Sequence, residues 1–302
     1  MTTPALDRRF LPHALTALCA LLLGILAVAW NFPCPQVDDA FYKSPAAELV
    51  QHGRLAIPCS AGFLPRMEEV FACYPPFYQL ILAAWYAVFG VTLKTSLAFS
   101  FFVHALNGLL IVELSRRWLR EHDGLSPVVK IVLPTMAGVL HLCNLAYFDR
   151  QEELALVFVF TSMVIAWSPM PGWFMVRPLL IGVCVGCAAL TSPWVGMLAV
   201  VMTSTRELLN AVQSSASKLG VRLAFTFLRL ACIGTVVITM IATWYLTIEL
   251  FYPGVIREQF LGILKHLSNT QHRVDVWQRL RSLYASVFYS PGQMPATCVV
   301  LG

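Results

Sequence analysis

Two neighbouring carboxylates, Asp38 and Asp39, follow directly after the first long apolar run of the chain. Charged side chains are costly to place near lipid, so a pair at a membrane surface needs a cation, hydrogen bonds or a chemical task. A carboxylate within hydrogen-bond reach of a hydroxyl group can accept its proton as a general base, and a pair of carboxylates can hold a divalent metal ion. The residues alone leave two interpretations open, a catalytic or metal-binding pair and two solvated loop acids.

Helix capping is a further role for such acids, but the sequence assigns it to a later segment. Ser44-Pro45 is a favourable N-cap and N1 pair for a helix that ends near His52, with Gly53 just beyond its end. The predicted helix therefore begins after the two aspartates.

The elements that must position these carboxylates are membrane helices. Residues of the set AVILMFWYC make up 58% of the chain and charged residues only 12%, against roughly 25% in soluble proteins. Several runs of 18 or more residues carry no Asp, Glu, Lys or Arg, and a helix needs about 20 apolar residues to cross a bilayer. These runs are 14–32, 71–93, 95–112, 131–148, 154–176, 178–205 and 230–248. The composition predicts an all-α, polytopic integral membrane protein and excludes soluble enzymes and nucleic-acid binders.

The clearest basic cluster sets the topology. Because positive residues favour the cytoplasmic side, we place this cluster inside the cell; its members are Arg116, Arg117, Arg120 and Lys130. The cluster would lie outside if both 71–93 and 95–115 crossed the membrane, so one of them does not cross. Residues 77–89, between Pro75-Pro76 and Gly90, have the length of an interfacial helix. We therefore predict that residues 33–94 form one large external loop with membrane-lying helices.

The remaining runs complete a bundle of about seven spans. The predicted spans are 14–32, 95–115, 131–148, 154–168, two short helices within 178–205 that break at Ser192-Pro193, and 223–250. The transmembrane module is thus predicted to occupy residues 1–250. Residues 251–302 are predicted to form an external tail, the start of a further C-terminal region if the chain is only part of a longer protein. The predicted location is the cell membrane, with Asp38 and Asp39 facing outside.

One segment of the external loop resembles a known family. Asp38-Asp39-Ala40-Phe41-Tyr42, followed by Glu48-Leu49, Gly53 and Pro58, resembles the D-E-x-x-Y … E-M/L … G … P stretch of GT-C membrane glycosyltransferases. The closest resemblance is to the protein-O-mannosyltransferase and aminoarabinose-transferase type.

Further motifs follow in the order of that family, over about residues 14–260. They are Tyr74-Pro75-Pro76-Phe77 with Phe89-Gly90, Leu114-Ser115-Arg116-Arg117-Trp118, Asp149-Arg150-Gln151-Glu152-Glu153 in place of an R-x-D motif, Leu190-Thr191-Ser192-Pro193 within 182–196, and Thr243-Trp244-Tyr245. The resemblance implies a GT-C-like bundle with a large first external loop.

The resemblance also implies an activity. The expected donor is a sugar on a polyprenyl or dolichyl phosphate, and the expected acceptor is a lipid, glycan or protein on the outer face. Asp38 would be the general base, and Asp39 would orient it or hold a divalent metal ion. Attack opposite the phosphate would invert the anomeric centre.

The lipid phosphate that leaves needs cations or a metal to meet its charge. Arg150 is the first candidate, because its guanidinium fork suits phosphate oxygens; acidic neighbours such as Glu153 give it an alternative role in ion pairs. The predicted substrate-binding residues are Tyr42, Arg150, Glu153, Lys94, Lys43 and Arg54.

Several positions depart from the family pattern. Leu97 stands where the family usually has an arginine, and Ser192 stands where it has a lysine. Cys73-Tyr74 replaces the Glu-Lys of the aminoarabinose enzymes, which argues against that reaction. Family members are also longer, so the sequence is expected to hold only the conserved N-terminal module. The alternatives are a membrane transporter, which would carry repeated halves and mid-span charges, and a non-catalytic scaffold that is a truncated relic of a glycosyltransferase.

Cysteines and histidines add two further expectations. Cys34, Cys59 and Cys73 fall in the external loop, where one pair could form a disulfide, and the sequence does not say which. His104 and His141 fall inside predicted spans, where tight packing or a backbone contact is favoured over metal ligation.

Overall fold

The computed structural model describes residues 10–31, 37–58, 63–122, 124–144, 150–168, 176–213 and 219–269. Within these ranges the chain forms ten α-helices and no β-strand, which confirms the predicted all-helical class. The helices are α1 Leu11–Trp30, α2 Val37–His52, α3 Phe77–Phe89, α4 Leu93–Arg120, α5 Val129–Cys143, α6 Gln151–Trp167, α7 Val176–Thr191, α8 Pro193–Gln213, α9 Leu219–Phe251 and α10 Val255–Asn269.

Within the described residues, three helices are long and apolar enough to cross a membrane, namely α1, α4 and α9. Helices α3, α5 and α7 are apolar but have only 13 to 16 residues, or about 20–24 Å at the α-helical rise of about 1.5 Å per residue. That length falls short of a hydrocarbon core of about 30 Å. The number of spans therefore stays a prediction.

One end of the bundle carries interlocked charges, and we call it the charged end. Arg117, near the end of α4, donates to the Val164 carbonyl at 2.5 Å and to the Ser168 hydroxyl at 2.7 Å, at the end of α6. Arg206 of α8 lies over the Trp167 ring, with its guanidinium carbon 4.3 Å from the ring centroid. The ends of α4, α6 and α8 therefore meet here.

A buried carboxylate ties two more helices, α7 and α9, to the same end. Glu207 of α8 is 2% exposed and accepts from Arg177 at the start of α7 (2.8 Å) and from Arg229 of α9 (3.4 Å). Arg177 also donates to the Ala166 carbonyl of α6. Successive helices from α6 to α9 thus run in alternating directions, as the sequence predicts.

A layer of non-bundle elements covers the other end, and we call it the cap layer: α2, residues 53–58 and 63–76, α3 and α10. Leu82 and Tyr86 of α3 are buried in one cluster with Phe99 of α4 and Leu154 of α6. These partners lie near the starts of α4 and α6, whereas the charged end lies at their ends.

Helix α3 confirms the predicted helix 77–89 between a prolyl segment and a glycine. It spans 13 residues, with Pro76 at its N-cap and Gly90 at its C-cap. Gly90 has a φ of +81°, a conformation that side chains rarely adopt. A proline before and a glycine after the helix therefore set its length.

The predicted start of α2 is wrong. The helix begins at Val37 and continues through Ser44-Pro45, so Pro45 lies inside it rather than at its first turn. Tertiary packing overrides the local start signal, because Phe41 and Tyr42, which precede the predicted start, both pack against buried clusters. The predicted end is confirmed, since α2 stops at His52 and Gly53 has a φ of +73°. Asp38 and Asp39 consequently lie in the first turn of α2.

Helix α10 anchors the start of the predicted tail to the cap layer. Gln259 is fully buried, and its side-chain amide donates to the carbonyls of Pro65 (3.0 Å) and Val70 (2.8 Å). Its carbonyl oxygen accepts from the Ala72 backbone amide at 2.9 Å. The partner residues are 187 to 194 positions away in the sequence, so α10 packs as an integral part of this layer.

The predicted break near Ser192-Pro193 is confirmed, because α7 ends at Thr191 and α8 begins at Pro193. The hairpin is so tight that a Cβ on Gly196 would lie 2.4 Å from the Ala189 Cα. Backbone cannot yield as a flexible side chain can, so a methyl group there forces the two helices apart.

We expect Gly196→Ala to destabilise the fold by about 1–3 kcal/mol, the usual cost of overpacking. The matched control is Gly234→Ala on α9, where the added Cβ meets no described heavy atom within 4 Å. Denaturant unfolding of the purified protein in detergent measures both changes. A loss of stability for Gly196→Ala no larger than that for Gly234→Ala contradicts the tight-hairpin interpretation.

Candidate functional site

In the cap layer α2 packs against α3. The ring of Tyr42 packs against the buried cluster that α3, α4 and Leu154 of α6 share, and it lies edge-to-face on Tyr74 with ring centroids 5.5 Å apart. This cluster links α2 to the first turn of α6, the turn that carries Glu153 and follows Arg150.

The predicted catalytic residues lie on this helix. The backbone of Asp38 and Asp39 belongs to the first turn of α2, and their side chains lie outside the described part of the structure. Asp149, next to Arg150 in the sequence, also lies outside the described residues.

The predicted cationic residues fall into different environments. Lys43 of α2 is buried at 9% exposure, and Arg150 is partly buried at the N-cap of α6. Lys94 is exposed near the start of α4. Arg54 is exposed and donates to Glu48 at 2.7 Å. Lys43 and Arg150 thus lie on the two helices that carry the acidic residues.

The carboxylate of Glu48 explains the position of Arg54. Burial acts to raise the pKa of Glu48, but hydrogen bonds from Arg54 and His52 outweigh it and lower the pKa below its usual value. The contacts measure 2.7 Å to Arg54 and 2.9 Å to His52. Glu48, which the sequence matches to the glutamate of the family motif, therefore holds the end of α2 to the segment that follows it.

A second polar cluster lies inside the bundle, just below the cap layer. We call it the His–Glu cluster; it consists of His104 of α4, His141 of α5 and Glu153 of α6. His104 is fully buried, and its Nδ1 lies 3.2 Å from Glu153 Oε2. His141 Nε2 lies 3.7 Å from the same oxygen. One ligand atom from each residue fits within 4.8 Å of the other two, an arrangement that could hold a metal ion.

Two further contacts set the orientation of this cluster. His104 Nε2 lies 3.3 Å from the Leu142 carbonyl oxygen, so the expected backbone contact of His104 is confirmed. Asn107 is fully buried, and its side-chain amide donates to the carboxylate of Glu153 at 2.7 Å and to its carbonyl at 2.8 Å. The carboxylate of Glu153 thus points into the bundle, toward His104 and Asn107.

Sequence reasoning finds the members of the His–Glu cluster separately but does not join them. His104 and Glu153 are 49 positions apart, and His141 lies on a third helix. The one signal in the sequence is the presence of two histidines within apolar runs.

A cavity of the described structure lies elsewhere. It has a volume of about 630 Å³ and is lined by Pro12, Arg116 and Lys130, among others, at the charged end. The cap layer and the His–Glu cluster lie toward the other end of the bundle, so this cavity is separate from the predicted site.

Cys73 of the cap layer is a free thiol. Burial raises the pKa of Cys73 to about 12, so the thiol stays protonated and unreactive at neutral pH. Cys34 and Cys59 lie outside the described residues. A disulfide between those two therefore remains a prediction.

Of the predicted substrate-binding residues, Tyr42 packs on the cluster that contains Leu154 of α6, and the carboxylate of Glu153 belongs to the His–Glu cluster. Lys43 is buried, Arg150 is partly buried at the N-cap of α6, and Lys94 and Arg54 are exposed. The functional assignment depends on these contacts and on the motifs of the sequence. Comparison of the chain with protein-family models, curated proteins and solved structures finds no match.

Proposed function

We propose that the chain is a multi-pass integral membrane glycosyltransferase of GT-C type, with about seven spans. It transfers a hexose from a polyprenyl-phosphate donor to a lipid, glycan or protein acceptor on the outer face of the cell membrane. The observation that carries the proposal is the packing of Tyr42 of α2 into the cluster that contains Leu154 of α6. This packing supports a shared site for the acidic turn of α2 and Arg150, at the start of α6.

Helical periodicity strengthens this placement. Residues four apart share a face of an α-helix, so position 38 falls on the face of α2 that carries Tyr42, and position 39 falls on the face that carries Lys43. Tyr42 packs toward the starts of α4 and α6. This periodicity supports a proposed site that includes the base and the phosphate ligand Arg150.

The chemistry follows from the residue types. Asp38 accepts the proton of the acceptor hydroxyl as its oxygen attacks the anomeric carbon. The bond from that carbon to the phosphate oxygen breaks on the opposite face, so the configuration inverts and the lipid phosphate leaves with its negative charge. Arg150 and Lys43 stabilise that charge. Asp39 orients Asp38 or contributes to a divalent metal site.

Leu97, at the position where the family usually has an arginine, cannot bind the donor phosphate. Leu97 is fully buried and packs with Ala27 of α1 and Phe101 of α4. This position faces the interface between α1 and α4, so the phosphate contact falls to cations elsewhere. The proposal assigns this contact to Lys43 of α2 and to Arg150 at the N-cap of α6.

A membrane transporter is the second candidate, and the His–Glu cluster favours it. Ionisable side chains inside a membrane bundle often mark a pathway for ions or substrates. A non-catalytic scaffold is the third candidate. Of the three candidates, only the glycosyltransferase forms a covalent product.

Purified full-length chain in liposomes tests the proposal, with radiolabelled polyprenyl-phosphate hexose and a mixture of membrane-extracted acceptors. A glycosyltransferase releases the polyprenyl phosphate and moves the label into a new glycoside. Movement of intact donor across the liposome membrane without product would favour the transporter, and neither result would favour the scaffold. Protein-free liposomes provide the background.

A further inference from the structure

We propose that His104, His141 and Glu153 form a binding site for one divalent transition metal ion, with Zn²⁺ as the best fit, between α4, α5 and α6. The site is distinct from the metal role considered for Asp39. It does not depend on the glycosyltransferase proposal.

The distances between the candidate ligand atoms fit a small ion. Zn²⁺ binds histidine nitrogens and carboxylate oxygens at about 2.0–2.2 Å, so tetrahedral geometry separates neighbouring ligand atoms by roughly 3.3 Å. Glu153 Oε2 lies 3.2 Å from His104 Nδ1 and 3.7 Å from His141 Nε2. The three side chains already converge without any rearrangement of the helices.

The placement of protons supports a cation at this point. A carbonyl oxygen can only accept a hydrogen bond, so His104 Nε2, which faces the Leu142 carbonyl at 3.3 Å, carries the hydrogen. In that tautomer the lone pair of Nδ1 is directed at a carboxylate oxygen, Glu153 Oε2. Either a proton or a metal ion must then lie between these two atoms, which are 3.2 Å apart.

The third side chain points to a metal rather than to a proton alone. His141 Nε2 is shielded from solvent and has no hydrogen-bond partner within the described part of the chain. A proton shared by His104 and Glu153 would leave this nitrogen unsatisfied, which is costly for a buried polar atom. A metal ion bound by all three side chains satisfies it.

The surrounding contacts are those that metal sites use to hold their ligands. A ligating histidine usually donates its other ring nitrogen to a carbonyl, and a ligating carboxylate is itself hydrogen-bonded. The Leu142 carbonyl is the acceptor that faces His104 Nε2 at 3.3 Å. The Asn107 amide donates to the carboxylate of Glu153 at 2.7 Å. Two histidines and one carboxylate suit zinc and leave a fourth position open for water or a substrate oxygen.

Metal analysis of the purified full chain tests this site. After removal of metal with a chelator, the wild-type protein is expected to rebind one equivalent of Zn²⁺, and Glu153→Gln and His141→Asn are expected to bind at least about 100-fold more weakly. The matched controls are His52→Gln and His122→Gln, since both histidines are exposed and remote from the cluster. These controls are expected to bind as the wild type does.

Two measurements on the wild-type chain do not depend on the folding of a variant. Co²⁺ in place of Zn²⁺ is expected to give the strong visible absorption of a low-symmetry, four-coordinate site, and added Zn²⁺ is expected to raise the Tm. No retained metal and no change in Tm would overturn the proposal, as would equal affinity in well-folded Glu153→Gln. Asp38→Asn is expected to keep full Zn²⁺ binding, so failure of the metal site and failure of the transferase are separable.

Discussion

Asp38→Asn is expected to lower the rate of sugar transfer from polyprenyl-phosphate hexose by roughly 10²–10⁴-fold, the usual contribution of a positioned general base. The amide matches the carboxylate in size and keeps the turn of α2 intact, but it cannot accept the acceptor's proton. Donor binding is expected to change little, because the base acts on the acceptor hydroxyl. The loss should therefore appear in kcat rather than in the KM for the donor.

The matched control is Glu68→Gln, which makes the same chemical change at an exposed acid of the cap layer. It is expected to transfer sugar at the wild-type rate. Single-turnover transfer in liposomes compares the two variants at equal protein content. Equal product from Asp38→Asn and wild type would remove Asp38 as the base.

Glu207→Ala is expected to lower the free energy of unfolding by about 3–5 kcal/mol, the range for removal of one partner from a buried ion pair. Glu207 is 2% exposed and holds Arg177 at 2.8 Å and Arg229 at 3.4 Å. Its loss leaves two guanidinium groups between α7, α8 and α9 without their carboxylate. We expect the charged end of the bundle to open first.

Glu121→Ala is the matched control for this change. Glu121 lies at the same end but its side chain is 49% exposed, and it pairs with Arg206 at 3.2 Å. Exposed pairs contribute about 0–1 kcal/mol, so the expected loss is small. Denaturant titration in detergent, followed by tryptophan fluorescence, measures both variants; a similar loss for the two would show that the Glu207 pairs carry no special stability.

Local signals predict the parts of the fold that are set within a few residues. The Pro75-Pro76 and Gly90 boundaries predict α3, Gly53 predicts the end of α2, and Ser192-Pro193 predicts the break between α7 and α8. In each case proline or glycine acts on its own backbone dihedral angles. Such effects need no knowledge of distant partners.

Long-range packing explains what the sequence does not predict. The early start of α2 goes with the packing of Phe41 and Tyr42 against buried clusters, and α10 depends on Gln259, whose partners lie 187 to 194 positions away. The His–Glu cluster likewise needs three helices to come together. The types of the candidate residues can be read from the sequence, but their neighbours cannot.

The most direct test of the account is the side of the membrane on which position 39 lies. Asp39→Cys is made in a background with the nine native cysteines replaced, and intact cells are treated with a membrane-impermeant maleimide. The account predicts that position 39 is modified in intact cells. Modification only after lysis would place the acidic turn of α2 on the cytoplasmic side and contradict transfer on the outer face.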